Sequence, residues 1–122
     1  MAAGLAGKRL GTRAEAASAG IGAVGGPPDP DAVLVMKILY GTDISGHRAR
    51  SVVDIDIASF DYVVAMDFTV YSFLKSFGKI PEETLFSWDI EDPLGLGYDA
   101  FKQAALKIER RLDQFLAGIG LD

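Results

Sequence analysis

The sequence predicts an α/β domain whose parallel sheet is covered on both faces, and three observations carry that prediction. Residues 61–66 read Asp-Tyr-Val-Val-Ala-Met, a nearly continuous apolar run that is β-branched at its centre. Such a run suits a strand buried on both faces. Phe101, Ala105, Ile108, Leu112, Phe115 and Ile119 step by three or four, the spacing of an amphipathic helix. Elsewhere, helical stretches alternate with short apolar runs, the order in which α/β folds are built. The 122 residues are one domain's worth, expected over 1–122, and 49% of them are hydrophobic, enough to bury a core.

Each element has its own local cause. Residues 2–10 read as a short Ala-rich helix. Residues 1–20 as a whole are rich in Ala and Gly and set Lys8, Arg9 and Arg13 against the single acid Glu15, a composition that resembles a transit peptide. No apolar core of seven or more residues follows the basic pair. A secretory signal is therefore excluded, and the cytoplasm is the expected location. Residues 20–30 form a loop, because Gly20, Gly22, Gly25, Gly26, Pro27, Pro28 and Pro30 sustain neither a helix nor a central strand. Asp29 stands at the N-cap of a helix over 31–40. Pro30 has no amide hydrogen to leave unpaired there, and Gly41 supplies a left-handed stop. After the strand over 61–66, a helix over 69–77 carries Val70, Phe73, Leu74 and Phe77 at helical spacing. Thr69 or Asp67 can cap it, and Gly78 ends it. A second short strand is expected over 84–87. The last helix, over 98–118, puts Lys102, Lys107, Glu109, Arg110 and Asp113 on its wet face.

Composition excludes several functions. Seventeen acidic residues against twelve basic ones give a net charge of -5, which argues against nucleic acid, whose phosphates need a basic face. No apolar run approaches the roughly 18 residues of a membrane span. The chain has no cysteine, so disulfides, zinc–thiolate sites and cysteine nucleophiles are all excluded for it.

Few clusters could carry chemistry. Asp89, Glu91 and Asp92 surround a strand end, where α/β sheets place their ligand crevice and where a carboxylate can serve as general acid or base. On spacing alone, a solvated acidic turn is the commoner explanation. His47-Arg48-Ala49-Arg50 is the one basic cluster with a histidine, and a surface loop outweighs an anion site there. With a single histidine, a His-based metal site is not expected, and the spacing of Asp54, Asp56 and Asp61 does not demand a magnesium site. No cofactor is implied. Ser18-Ala19-Gly20 and Gly25-Gly26 lack the Gly-Lys-Ser/Thr of a phosphate loop. A serine nucleophile would need His47 to have an orienting partner, and none is evident.

Taken in order, five fragments resemble the low-molecular-weight protein tyrosine phosphatase family. They are Ser18-Ala19-Gly20, Gly26-Pro27-Pro28-Asp29-Pro30, Gly46-His47-Arg48-Ala49-Arg50, Phe60-Asp61-Tyr62-Val63-Val64-Ala65-Met66-Asp67 and Trp88-Asp89-Ile90-Glu91-Asp92-Pro93. The resemblance implies a flavodoxin-like three-layer fold, a parallel sheet with helices on both faces. It also implies a second strand over 14–18. Members of the family open with an apolar strand, then Cys, five residues, Arg and Ser-Pro-Met-Ala. The thiolate attacks phosphorus, and loop amides and the arginine hold the oxygens. Here Met1 looks like the methionine of Ser-Pro-Met-Ala, so the first strand, nucleophile and phosphate loop are expected to be missing, through a misassigned start, truncation or decay.

By the same resemblance Asp92 matches the general acid, Ser18 and His47 match residues that brace the phosphate loop, and Asp67 matches a structural aspartate. Leu94 and Gly95 stand where the family often has aromatics that wall a phosphotyrosine ring. Arsenate reduction coupled to thioredoxin needs several cysteines and is excluded. The expectation is a family domain inactive as it stands, or alternatively a non-catalytic binding module on the same scaffold. A phosphorylated protein or small phosphomonoester would be the substrate of any intact form. Neither nucleic acid nor a membrane is an expected partner. Self-association through open sheet edges is expected, because 14–18 and 62–66 would flank the empty strand position.

Overall fold

A computed structural model describes residues 1–21 and 25–121; Gly22, within the expected loop, lies outside the described residues. The elements are α1 (Ala2–Leu10), α2 (Pro30–Tyr40), β1 (Val63–Ala65), α3 (Phe68–Ser76), β2 (Leu85–Ser87) and α4 (Tyr98–Ile119). Short 3-10 turns lie at Val52–Asp54, Ile57–Ser59 and Glu82–Thr84. The predicted α/β class with a parallel sheet is what forms. β1 and β2 run parallel, with Val63 opposite Leu85, Val64 opposite Phe86 and Ala65 opposite Ser87.

Successive side chains of a strand point to opposite faces, and β1 uses both. Val64 and Met66 pack against a cluster that contains Leu5 and Leu10 of α1, Ile108, Leu112 and Leu116 of α4, and Trp88. Val63 and Ala65 instead join Val52, Ile57, Leu74 and Leu85. Helices therefore cover the strand from above and below, which is why its sequence is apolar at consecutive positions. Leu5 and Leu10 make the first ten residues part of this core. Among the described residues, no helix is long and apolar enough to cross a membrane.

The caps decide where the helices begin. The Asp29 carboxylate accepts the Asp31 amide at 2.8 Å, Pro30 is the first residue of α2, and Gly41 closes the helix at φ 62°. Of the two candidates for α3, Asp67 is the cap. Its carboxylate accepts the Val70 amide at 2.8 Å, so the helix starts one residue early, at Phe68. In α4 the buried stripe is Phe101, Ala104, Ala105, Ile108, Leu112 and Leu116. The predicted stripe holds as far as Leu112. Beyond it Leu116 takes the core position, and Phe115 and Ile119 are only partly buried. Steps of three and four are both compatible with a period of 3.6, and packing selects between them.

The expected strand over 14–18 does not form. The segment is extended, with residues 14, 16 and 18 half-buried and 15 and 17 exposed, the alternation of a strand. A strand also needs a partner, and among the described residues the bridge found here lies just past the segment, Gly20 parallel to Ser51. There the Gly20 amide donates to the Arg50 carbonyl at 2.8 Å, and the Val52 amide donates to the Gly20 carbonyl at 3.0 Å. Thr84, expected in the second strand, belongs to the preceding 3-10 turn.

One polar contact ties α2 to α4. The Tyr40 hydroxyl donates to the Glu109 carboxylate at 2.8 Å. Burial, together with the bond to Glu109 and its charge, pushes the Tyr40 phenol from 10.0 up to about 12. A folded pKa raised above the unfolded one gives stability that is fully present below pH 10.0 and is lost as the pH rises through about 12. Tyr40→Phe is expected to cost about 1.5–3 kcal/mol in urea unfolding at neutral pH, as for a bond to a charged group. The variant should also lack that alkaline loss. An unchanged midpoint would show that the contact contributes nothing.

Candidate functional site

Three segments bring the predicted residues together. Ser18 ends the extended stretch beside α1. His47 sits in the loop after α2, where tight turns fix it. The Asp43 carboxylate accepts the Ser45 amide at 2.8 Å, and the His47 amide donates to the Ile44 carbonyl at 3.0 Å. The Ser45 hydroxyl and amide, helped by Lys37, hold the Asp43 carboxyl below its ordinary value. Asp92 follows β2. Beyond that strand, the Trp88 amide donates to Ala65 at 2.8 Å and the Ile90 amide donates to Met66 at 2.9 Å. The chain is thereby held against the end of β1 before it turns, and Asp92 emerges beyond the carboxyl end of the sheet, where α/β folds place ligands.

Ser18 and His47 are neighbours, with Oγ 3.4 Å from Nε2. The Arg50 guanidinium donates from Nε to the Ser18 carbonyl at 3.1 Å and pins the same stretch. The pair borders a cavity of about 240 Å³ whose wall includes Met1 and Gly4 at the start of α1, Asp29, Pro93 and Phe101. Asp92 does not line this cavity, but its neighbour Pro93 does. Asp92 is exposed, and its carboxylate accepts the Leu94 amide at 3.0 Å in an Asx turn. Ser18 and His47 thus meet at one site, with Asp92 beside its rim. Asp67, matched to a structural aspartate, is occupied as the cap of α3.

Other candidates separate. Among the described residues no group of three or more His, Asp or Glu is placed to hold a metal ion, so Asp54, Asp56 and Asp61 do not converge. Among the described residues no carboxylate bonds His47, and the Ser18–His47 pair lacks the third member that would orient a base. Sequence reasoning missed Phe101 and Asp29 as wall residues. In the sequence Phe101 reads as part of the core stripe and Asp29 as a helix cap, and the Gly-Pro-Pro-Asp-Pro fragment is the signal for the latter.

If Ser18 and His47 have no partner beyond each other, each should be nearly dispensable for folding. Ser18→Ala and His47→Ala are expected to cost less than about 1 kcal/mol in chemical denaturation, unlike a satisfied buried polar group. Losses of several kcal/mol would show that both hold the fold together.

The family model described as low molecular weight phosphotyrosine protein phosphatase matches residues 1–122. A probable low molecular weight protein-tyrosine-phosphatase, EpsP, of Ralstonia nicotianae (strain ATCC BAA-1114 / GMI1000) is 34% identical over 109 residues, covering 84% of this chain and 74% of that protein. Its namesake in Ralstonia solanacearum is 32% identical over 111 residues, with the same shares covered. Among solved structures, a low molecular weight protein tyrosine phosphatase from T. tengcongensis superposes with a TM-score of 0.81 at 33% identity. It covers 96% of this chain and 88% of its own. A YwlE mutant from Bacillus subtilis reaches a TM-score of 0.85 at 22% identity over 98% of this chain and 88% of its own, a likeness of fold. The match along all 122 residues, together with the one-third identity to EpsP, places this chain in the low molecular weight phosphotyrosine protein phosphatase family.

Proposed function

We propose that this 122-residue chain is a phosphatase-family domain that does not itself hydrolyse phosphomonoesters. One observation carries the reading: the chain has no cysteine, and the thiolate that attacks phosphorus in the family has no counterpart in it. Asp92 stands in for the general acid, Ser18 and His47 for the residues that brace a phosphate loop. An acid and two braces without a nucleophile have no bond to make. The location proposed is the cytoplasm. A form of the protein that supplied the thiolate would act on a phosphorylated protein or a small phosphomonoester.

A second reading has its own support. The cavity of about 240 Å³ beside Ser18 and His47 is of a size to hold a small ligand, which favours a non-catalytic binding module on the same scaffold. Turnover of an aryl phosphate by the purified chain, set against an Asp92→Asn variant, tests the first reading.

A further inference from the structure

We propose that the outward face of α4, with the turn that precedes it, is a docking surface for an acidic segment of another protein. One aliphatic residue of that segment enters the cleft between Leu96 and Lys107, and its carboxylates pair with Lys107, Arg110 and Arg111. These three cations are exposed. At 3.6 residues per turn they fall within a sector of about 100° and span about 6 Å along the helix. Among the described residues none of the three has an ion pair or a side-chain hydrogen bond. The acids of the same stretch are engaged elsewhere. Asp113 pairs with Arg9 of α1, and Glu109 accepts the Tyr40 hydroxyl of α2. In a chain of net charge -5, α4 thus turns its engaged carboxylates toward its neighbours and leaves three unpaired cations facing outward.

Spacing decides whether these charges act together. The Debye length is about 8 Å at physiological ionic strength, so cations within about 6 Å reinforce one another while the acidic remainder of the chain is largely screened. Exposed ion pairs contribute little one at a time, so charge alone does not hold a peptide here. The cleft supplies the apolar anchor. It has a volume of about 90 Å³ and lies between Pro93 and Leu96 of the turn and Ala100, Gln103 and Lys107 of α4. Among the described residues, neither α1 nor β1 contributes to its walls. Small-molecule sites run to about 300–1,000 Å³, so this cleft suits a single aliphatic side chain rather than a cofactor. The turn is held in shape. The Leu94 amide donates to the Asp92 carboxylate and the Leu96 amide to the Pro93 carbonyl, both at 3.0 Å. Leu96 is nevertheless 60% exposed, apolar surface that a docked side chain would cover.

The surroundings also set the direction of the occupant. Glu91 borders the cleft, and Asp99 lies in the first turn of α4. They repel carboxylates at that end, so the partner's acids lie toward the C-terminal end of the helix. Arg110 and Arg111 stand about 10 Å along α4 from the middle of the cleft, and an extended chain advances about 3.3 Å per residue. The acids therefore follow or precede the aliphatic residue by about two to four positions. The proposal involves neither phosphate nor a nucleophile and stands apart from the catalytic reading.

The probe is a blocked peptide, Ser-Leu-Ser-Glu-Glu-Glu-Gly, titrated into the whole chain and followed by amide chemical shifts. One control replaces its three Glu by Gln, and the other replaces its Leu by Ser. The probe is expected to shift the amides over 94–97 and 103–111, and each control should bind at least about fivefold more weakly. The double variant Arg110→Glu, Arg111→Glu should bind the probe at least about tenfold more weakly with an unchanged urea midpoint, since neither side chain holds the fold. On the unaltered chain, raising the salt to about 0.5 M should weaken binding several-fold. No binding of the probe at millimolar concentration, equal binding of the Gln peptide, or full binding by the double variant overturns the proposal. So does tighter binding of oligothymidylate than of the probe, because the face would then suit a nucleic acid.

Discussion

Hydrolysis of p-nitrophenyl phosphate by the purified chain is expected to match the rate in buffer, to be indifferent to thiol alkylation and to be unchanged in Asp92→Asn. Phosphoryl transfer needs a nucleophile in line with the leaving oxygen and donors fixed around the transferred oxygens. Neither candidate for a substitute nucleophile is suited. Asp92 is exposed, and its carboxylate is engaged with the Leu94 amide at 3.0 Å. Ser18 lies 3.4 Å from His47, and no carboxylate among the described residues orients that imidazole. Removing the covalent nucleophile from a catalytic unit costs on the order of 10⁶-fold in kcat, and the remaining members recover almost none of it. A general acid alone has no leaving group to protonate. Hydrolysis above buffer that disappears in Asp92→Asn would sink this reading, since it would mean that Asp92 works with a nucleophile other than a thiolate.

Local physics made most elements legible. Asp29, Pro30 and Gly41 marked α2 at both ends because caps are chemistry of the chain's own neighbourhood. The same holds for Asp67, although the choice between it and Thr69 depended on which side chain reached the Val70 amide. The stretch over 14–18 was not legible in this way. Its alternation is present, but pairing is a property of two segments, and no described segment offers 14–19 a ladder. The site was less legible still. Ser18 and His47 are separated by 29 residues, and no periodicity predicts that they meet; the resemblance in the order of the fragments did. Phe101 shows the remaining limit. Its spacing placed it on the apolar face of α4, but which end of that face borders a cavity depends on the elements packed against it.

Leu116→Ala is expected to cost about 2–5 kcal/mol, the range for truncating a buried leucine, where part of the loss is the cavity left behind. Leu116 is 2% exposed and sits in the cluster that joins α1, α4 and the end of the sheet. Against a total stability of roughly 5–15 kcal/mol, that loss takes a large fraction of the fold. Ile38 is the matched control. It is an aliphatic residue on α2, but 61% exposed, so Ile38→Ser should stay within about 0.5 kcal/mol. Trp88, the chain's single tryptophan, packs edge-on to Phe115 with ring centroids 6.1 Å apart, so its fluorescence reports on this cluster. Urea unfolding followed by Trp88 should show the midpoint falling steeply for Leu116→Ala and hardly at all for Ile38→Ser, with similar slopes for both. The comparison also checks the register of α4. If Phe115 rather than Leu116 were the core residue, Leu116→Ala would cost no more than Ile38→Ser, and the last two turns of the helix would have to be rotated relative to the sheet.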